Sequence, residues 1–156
     1  MTRSELAIFT NMCMIYDGNG NILVQDRKSK DWPGITFPGG HVEKQESFVE
    51  SVTREVLEET GLTIKFPKLC GIKQFQDKNG ARYIVLLYKT KHYTGDIQSS
   101  EEGEIYWIKR EDLLKYPLAN DFEKMVEIFE SDRLSEFYYF EDDKNDWAYC
   151  SFIRCS

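Results

Sequence analysis

The chain has 156 residues, 41% of them hydrophobic and 30% charged, with a formal net charge of −7. That length and balance fit one folded domain over 1–156 and exclude a disordered chain. An acidic surface repels phosphate backbones, which argues against a nucleic acid polymer as partner but allows a small anionic substrate where divalent cations invert the local sign.

No run is long and apolar enough to span a bilayer, so no membrane partner is expected. Residues 1–6 lack the apolar stretch of a signal peptide, so a cytoplasmic location is expected. Cys13, Cys70, Cys150 and Cys155 are scattered and form no CxxC pair, and His41 and His92 are far apart, which argues against a zinc site. Cys13 and Cys70 sit in apolar, strand-like runs and are expected as reduced core residues.

In chain order, residues 11–16 predict a strand and Asp17-Gly18-Asn19-Gly20 a hairpin turn into a returning strand over 21–25. A basic patch follows with Arg27, Lys28 and Lys30. Trp32-Pro33-Gly34 makes a turn, and 35–37 is a short strand that stops at Pro38-Gly39-Gly40. Ser47 with Glu50 has the capping-box pattern that opens a helix. Val49, Val52 and Val56, with Phe48 beside them, supply its apolar stripe, and Gly61 suits its end.

Strand-like segments over 63–75 and 82–93 flank a turn at 77–80, and 104–108 is another strand before a helical turn near 111–114. The spacing of Phe122, Met125, Val126 and Phe129 predicts a second helix over 121–130. Late strands are expected over 135–140 and 147–153. The order describes an α/β fold, a mixed sheet with two substantial helices.

The first helix carries an unusual charge cluster. Glu55, Glu58 and Glu59 are related by i,i+3 and i,i+4 and fall within about 100° of arc, where like charges repel. A hard divalent cation relieves this, since Mg²⁺ takes carboxylate and phosphate oxygens together. Glu46 lies just before the helix, and Arg54 sits where it can orient the carboxylates as a fork. Periodicity alone is equally satisfied by a solvated, charge-rich face. The Gly39-Gly40 turn favours the metal site, because bare backbone there can approach a ligand.

The window from Gly40 to Leu62 resembles the Nudix box, Gly-x5-Glu-x7-Arg-Glu-hydrophobic-x-Glu-Glu-x-Gly-hydrophobic, at every fixed position. Phe37-Pro38-Gly39-Gly40 is similar to that family's approach strand and loop. The resemblance extends over roughly 11–140 and implies the Nudix fold, an α/β/α sandwich with a mixed β-sheet. It implies hydrolysis of a nucleoside diphosphate linked to another group. It also implies that Glu55, Glu58 and Glu59, with the Gly39 carbonyl, hold Mg²⁺ or Mn²⁺ while Arg54 orients the glutamates. Monomers and homodimers both occur among similar proteins.

Outside the box, Arg27 matches a phosphate-contacting arginine of MutT-like enzymes, with Lys28 and Lys30 as helpers or plain surface. Glu102, five residues before Trp107, matches a further metal ligand or general base, so the base is Glu55 or Glu102. Asn120 and Asp121 match the stretch in which oxidised-purine hydrolases read the base edge; either could instead cap the second helix. Trp32 and Phe37 could stack on a base or lie in the core. Pro33 stands where the human-type oxidised-purine enzyme has a base-reading asparagine.

The expected reaction is cleavage of a nucleoside triphosphate, with 8-oxo-dGTP the leading small-molecule substrate, to the monophosphate and pyrophosphate. The alternatives are a dinucleoside polyphosphate, a nucleotide sugar, or a nucleotide-binding regulator without turnover.

Overall fold

Side chains alternate along the first strand, β1 (Ala7–Ile15): Met12 and Met14 enter one apolar cluster, Cys13 and Ile15 another. The structure is a computed structural model describing residues 2–141 and 147–153. After β1 come β2 (Asn21–Arg27), β3 (Gly34–Thr36), α1 (Phe48–Thr60), β4 (Thr63–Lys65) and β5 (Lys68–Gln76). Then follow β6 (Arg82–Thr90), β7 (His92–Thr94), β8 (Gly103–Lys109), a 3-10 turn (Arg110–Lys115), α2 (Phe122–Glu130), β9 (Leu134–Glu141) and β10 (Trp147–Ile153).

The main sheet has the order β1-β6-β5-β9-β10 and is mixed, with β1–β6 and β5–β9 parallel and the other pairs antiparallel. A second sheet, β3-β2-β8, is antiparallel, and β4 and β7 form a two-stranded pair. Val52 and Val56 of α1 join Cys13, Ile15, Leu86 and Tyr88 on one face of the main sheet. Phe122, Met125 and Phe129 of α2 join Met12, Met14, Val85 and Leu87 on the other. That is the expected α/β/α layering. Among the described residues no helix is long and apolar enough to cross a membrane.

Four details correct the sequence reading. Residues 11–25 do not form a laddered hairpin: beyond one bridge, Tyr16 to Ile22, β1 and β2 part into different sheets. The segments 63–75 and 82–93 each break in two, the first at Phe66, whose φ is 54°; the short pieces, β4 and β7, pair with each other. The buried stripe of α1 begins a turn later than expected, at Ser51 and Val52, leaving Phe48 and Val49 exposed. Phe48 packs on Phe9 instead, with centroids 5.4 Å apart.

The ends of α1 match expectation: Ser47 and Glu50 form a capping box, and Gly61 closes the helix in the left-handed region at φ 79°. Cys13 and Cys70 are buried in the apolar clusters, the core positions expected for them. The late strand 147–153 lies along β9, extending the sheet. Residues 142–146 and 154–156, including Cys155, lie outside the described residues, as does the side chain of Cys150.

Candidate active site

Bare backbone brings the acidic helix against the sheet. The Asn11 amide donates to the Gly40 carbonyl at 2.8 Å, and the Cys13 amide donates to the Pro38 carbonyl at 2.8 Å. The buried Asn11 side chain locks the same corner, accepting from the Gly40 amide at 3.1 Å and donating to Ser51 of α1 at 2.9 Å. A Cβ on Gly39 would collide with the Asn11 carbonyl, and one on Gly40 with the Glu55 carboxylate. Gly39 is therefore required by close approach of backbone, whereas Gly40 leaves room for the Glu55 side chain.

Arg54 organises the carboxylates. Its Nε and Nη2 donate to the two oxygens of Glu46 at 2.6 and 3.0 Å, a fork on a carboxylate. Nη1 donates to Glu55 at 2.9 Å and to Glu58 at 3.1 Å, while Nη2 also donates to the His41 carbonyl at 3.0 Å. Hydrogen bonds from Arg54 chiefly hold the Glu46 carboxyl down at about 2. Glu59 is buried and accepts from the Gly39 amide at 2.9 Å. Burial first, then the neighbouring Glu55 and Glu102 charges, pushes its carboxyl up to about 7. Burial likewise raises Glu55, against the pull of Arg54.

A cleft of about 760 Å³ gathers most of the expected residues. Glu55, Glu59, Glu102 and Gly39 line one part, and Trp32, Lys73 and Phe75 another. Arg27 also lines it, with its Nε donating to the Trp32 carbonyl at 3.1 Å and its guanidinium 5.7 Å from the Trp32 ring centroid. Lys28 and Lys30 are exposed and off the cleft wall, the plain-surface alternative. Glu58 is set apart: its side chain is 57% exposed, turned to Arg54, and does not line the cleft.

Asn120 and Asp121 lie in an adjoining recess of about 160 Å³ that shares Trp32, Lys73 and Phe75 with the cleft. Asp121 occupies the N-cap position of α2 at φ 61°, but its side chain makes no capping bond; it accepts from Lys124 at 3.0 Å. The Asn120 carbonyl accepts from the Trp32 indole at 2.9 Å. Of the two places open to it, Phe37 takes the core one at the border of the cleft: it is 1% exposed and packs T-shaped with the rings of Phe122 and Phe129, centroids 4.9 and 5.1 Å away.

The sequence reading missed Asn11, Lys73 and Phe75. Asn11 had a signal, a polar side chain opening an apolar strand. Lys73 and Phe75 share a sheet face by the two-residue period, but that this face borders a cleft with Trp32 and Glu55 depends on segments distant in sequence.

Among the described residues no three His, Cys, Asp or Glu side chains are already gathered around a cation position. Arg54 and the Gly39 amide hold the helix glutamates instead. The donor set still fits a hard divalent ion, since it is all oxygen and two of its carboxyls are raised by burial, a shortage of positive charge that such an ion relieves.

Residues 10–129 match the NUDIX domain family. A Bacillus subtilis (strain 168) protein described as uncharacterized Nudix hydrolase YvcI is 32% identical over 112 residues, 69% of this chain and 69% of that one. An ADP-ribose pyrophosphatase of Methanocaldococcus jannaschii is 30% identical over 118 residues, 72% of this chain and 67% of that one. Other relatives, from Xenopus laevis and Escherichia coli, are spanned over 47% and 58% of their own lengths. The crystal structure of a MutT protein from Bacillus halodurans matches with a TM-score of 0.75 and 28% identity, over 92% of this chain and 97% of that one.

Proposed function

The chain belongs to the Nudix hydrolase family, pyrophosphohydrolases acting on phosphorus-containing anhydrides, and we propose that it cleaves a nucleoside triphosphate to the monophosphate and pyrophosphate. The preferred substrate is an oxidised purine nucleotide such as 8-oxo-dGTP. One observation carries this reading: a single cleft joins the carboxylates of Glu55, Glu59 and Glu102 to the rings of Trp32 and Phe75. A triphosphate and a flat base need those two environments side by side.

Glu55, Glu58, Glu59 and Glu102, with the Gly39 carbonyl, would hold Mg²⁺ or Mn²⁺. Bound there, such an ion would supply Lewis acidity toward a phosphoryl oxygen and would lower the pKa of a water. Arg54 fixes the rotamers of Glu55 and Glu58 through its bonds to both. Arg27, on the cleft wall, donates to a phosphate oxygen. Glu55 or Glu102 takes the proton of the attacking water, since both line the cleft while Glu58 faces solvent. Asn120 and Asp121 contact the base from the adjoining recess.

A second reading is ADP-ribose hydrolysis, which the name of the archaeal relative favours. The test is product analysis after incubation with Mg²⁺ and 8-oxo-dGTP, the four dNTPs, ADP-ribose, a diadenosine polyphosphate and UDP-glucose. Preferential release of pyrophosphate and monophosphate from 8-oxo-dGTP supports the proposal. Preference for ADP-ribose, yielding AMP and ribose phosphate, replaces the substrate and keeps the site.

A further inference from the structure

Lys73 is a cation set among aromatic rings in the main sheet. It lies on β5 in the middle of the main sheet, in register with Val85 on one side and Phe137 on the other. Its ammonium nitrogen is 5.0 Å from the Trp32 ring centroid, 5.7 Å from that of Tyr139, and 5.8 Å from those of Phe75 and Phe137. Among the described residues its ammonium makes no hydrogen bond or ion pair. Burial lowers its proton affinity to a pKa of about 8, with Asp121 pulling the other way. Ring faces attract the charge but accept N–H protons poorly, so three donors are left aimed among aromatic walls.

Lys73, Trp32 and Phe75 line both the main cleft and the recess holding Asn120 and Asp121. A phosphate is a poor occupant of the recess, because aromatic rings and the Asp121 carboxylate share its wall with the ammonium. A planar heterocycle with a carbonyl on its edge suits both the rings and the ammonium. Lysine donates well to the O6 acceptor of a 6-oxopurine, whether or not C8 is oxidised, whereas the 6-amino group of a 6-aminopurine points a donor at it.

We propose that Lys73 sets base specificity: its ammonium donates to the 6-oxo edge of a purine seated against Trp32 and Phe75, selecting 6-oxopurine over 6-aminopurine nucleotides. This rests on the cleft being the nucleotide site proposed above, and it adds a chemical class and the residue that selects it.

The test compares the wild type with Lys73→Met, which keeps the stem, and Lys73→Arg, which keeps the charge. Turnover of dITP and dATP with Mg²⁺ is measured beside binding of the monophosphates dIMP and dAMP, followed by intrinsic fluorescence. The base pairs differ in the 6-oxo or 6-amino identity of the ring edge. Expected is a wild-type preference for dITP and dIMP that Lys73→Met lowers about tenfold or more. The loss falls on KM and on monophosphate binding, dATP stays within about twofold, and Lys73→Arg restores part of the preference.

Equal losses on both bases in Lys73→Met, or an unchanged preference, overturn the proposal while leaving the hydrolase reading intact. Selective dIMP binding without turnover of either triphosphate keeps Lys73 as the base selector and overturns the hydrolase reading. Failure to bind either monophosphate and to turn over either triphosphate overturns both.

Discussion

The Gly39 amide donates to the Glu59 carboxylate at 2.9 Å, fastening the loop after β3 to the last turn of α1. Glu59 is 6% exposed, and its carboxyl is raised from an ordinary 4.5 to about 7, first by burial. The folded state therefore holds the proton more tightly than the unfolded state. Stability from this group falls as pH rises from 4.5, and the full penalty is present above about 7.

Glu59→Gln keeps an oxygen for the Gly39 amide and removes the charge. At pH 8 without metal, it should be more stable than wild type by about 1–2 kcal/mol in denaturant titration. Its pyrophosphate release should fall about 100-fold or more. A less stable variant would mean that the ionised carboxylate serves the fold.

The two loop glycines should fail differently. Gly39→Ala sets a methyl group against the backbone of Asn11, which cannot step aside, and should lose about 1–3 kcal/mol of stability. Gly40→Ala meets only the Glu55 carboxylate, which can swing. It should unfold near the wild-type temperature yet hydrolyse at least about tenfold more slowly. Thermal melts and turnover on the same samples decide this.

Arg54→Lys keeps a positive charge and loses the fork that spans Glu46, Glu55 and Glu58. The expected result is about a 10- to 100-fold fall in activity with a higher Mg²⁺ requirement. An unchanged Mg²⁺ dependence would place Arg54 outside the positioning of the carboxylates.

Lys73 gives a stability signature of opposite sign. Its pKa falls from 10.5 to about 8 on folding, through burial opposed by Asp121. The unfolded chain then binds more protons between these values, so stability rises as pH climbs from about 8 to 10.5. The gain should be about 1–3 kcal/mol, the half-buried side chain keeping it below the full shift. Denaturant midpoints across that range should show this component in wild type and not in Lys73→Met; parallel curves would contradict it.

Spacing gave the helix that carries the acidic cluster, while Arg27, Glu102, Asn120 and Asp121 came from the resemblance to the Nudix family. The capping box at Ser47 and the left-handed Gly61 fixed the helix ends, so the phase of Glu55, Glu58 and Glu59 followed. Phase did not reveal which carboxylate is buried: Glu59 folds under the Gly39 loop while Glu58 stays in solvent, a result of how α1 meets β1. The pairing of strands distant in sequence was beyond a local pattern. Asp17 to Gly20 has every mark of a hairpin turn, yet β1 takes β6 as its partner and β2 takes β8. For the same reason Lys73 read as an ordinary strand residue until β9 closed over its far side. Phe37, aromatic and beside a glycine loop, has the local look of a stacking residue, but it packs against Phe122 and Phe129 of α2.

The most direct measurement is pyrophosphate release from 8-oxo-dGTP as Mg²⁺ is titrated, for wild type and Glu59→Gln. Saturable, Mg²⁺-dependent release in wild type, with a loss of about 100-fold or more in a variant that remains folded, is the expected result. Equal release by the two proteins, or release in wild type that persists when the metal is chelated, would contradict an active centre built on the Glu55, Glu59 and Glu102 carboxylates.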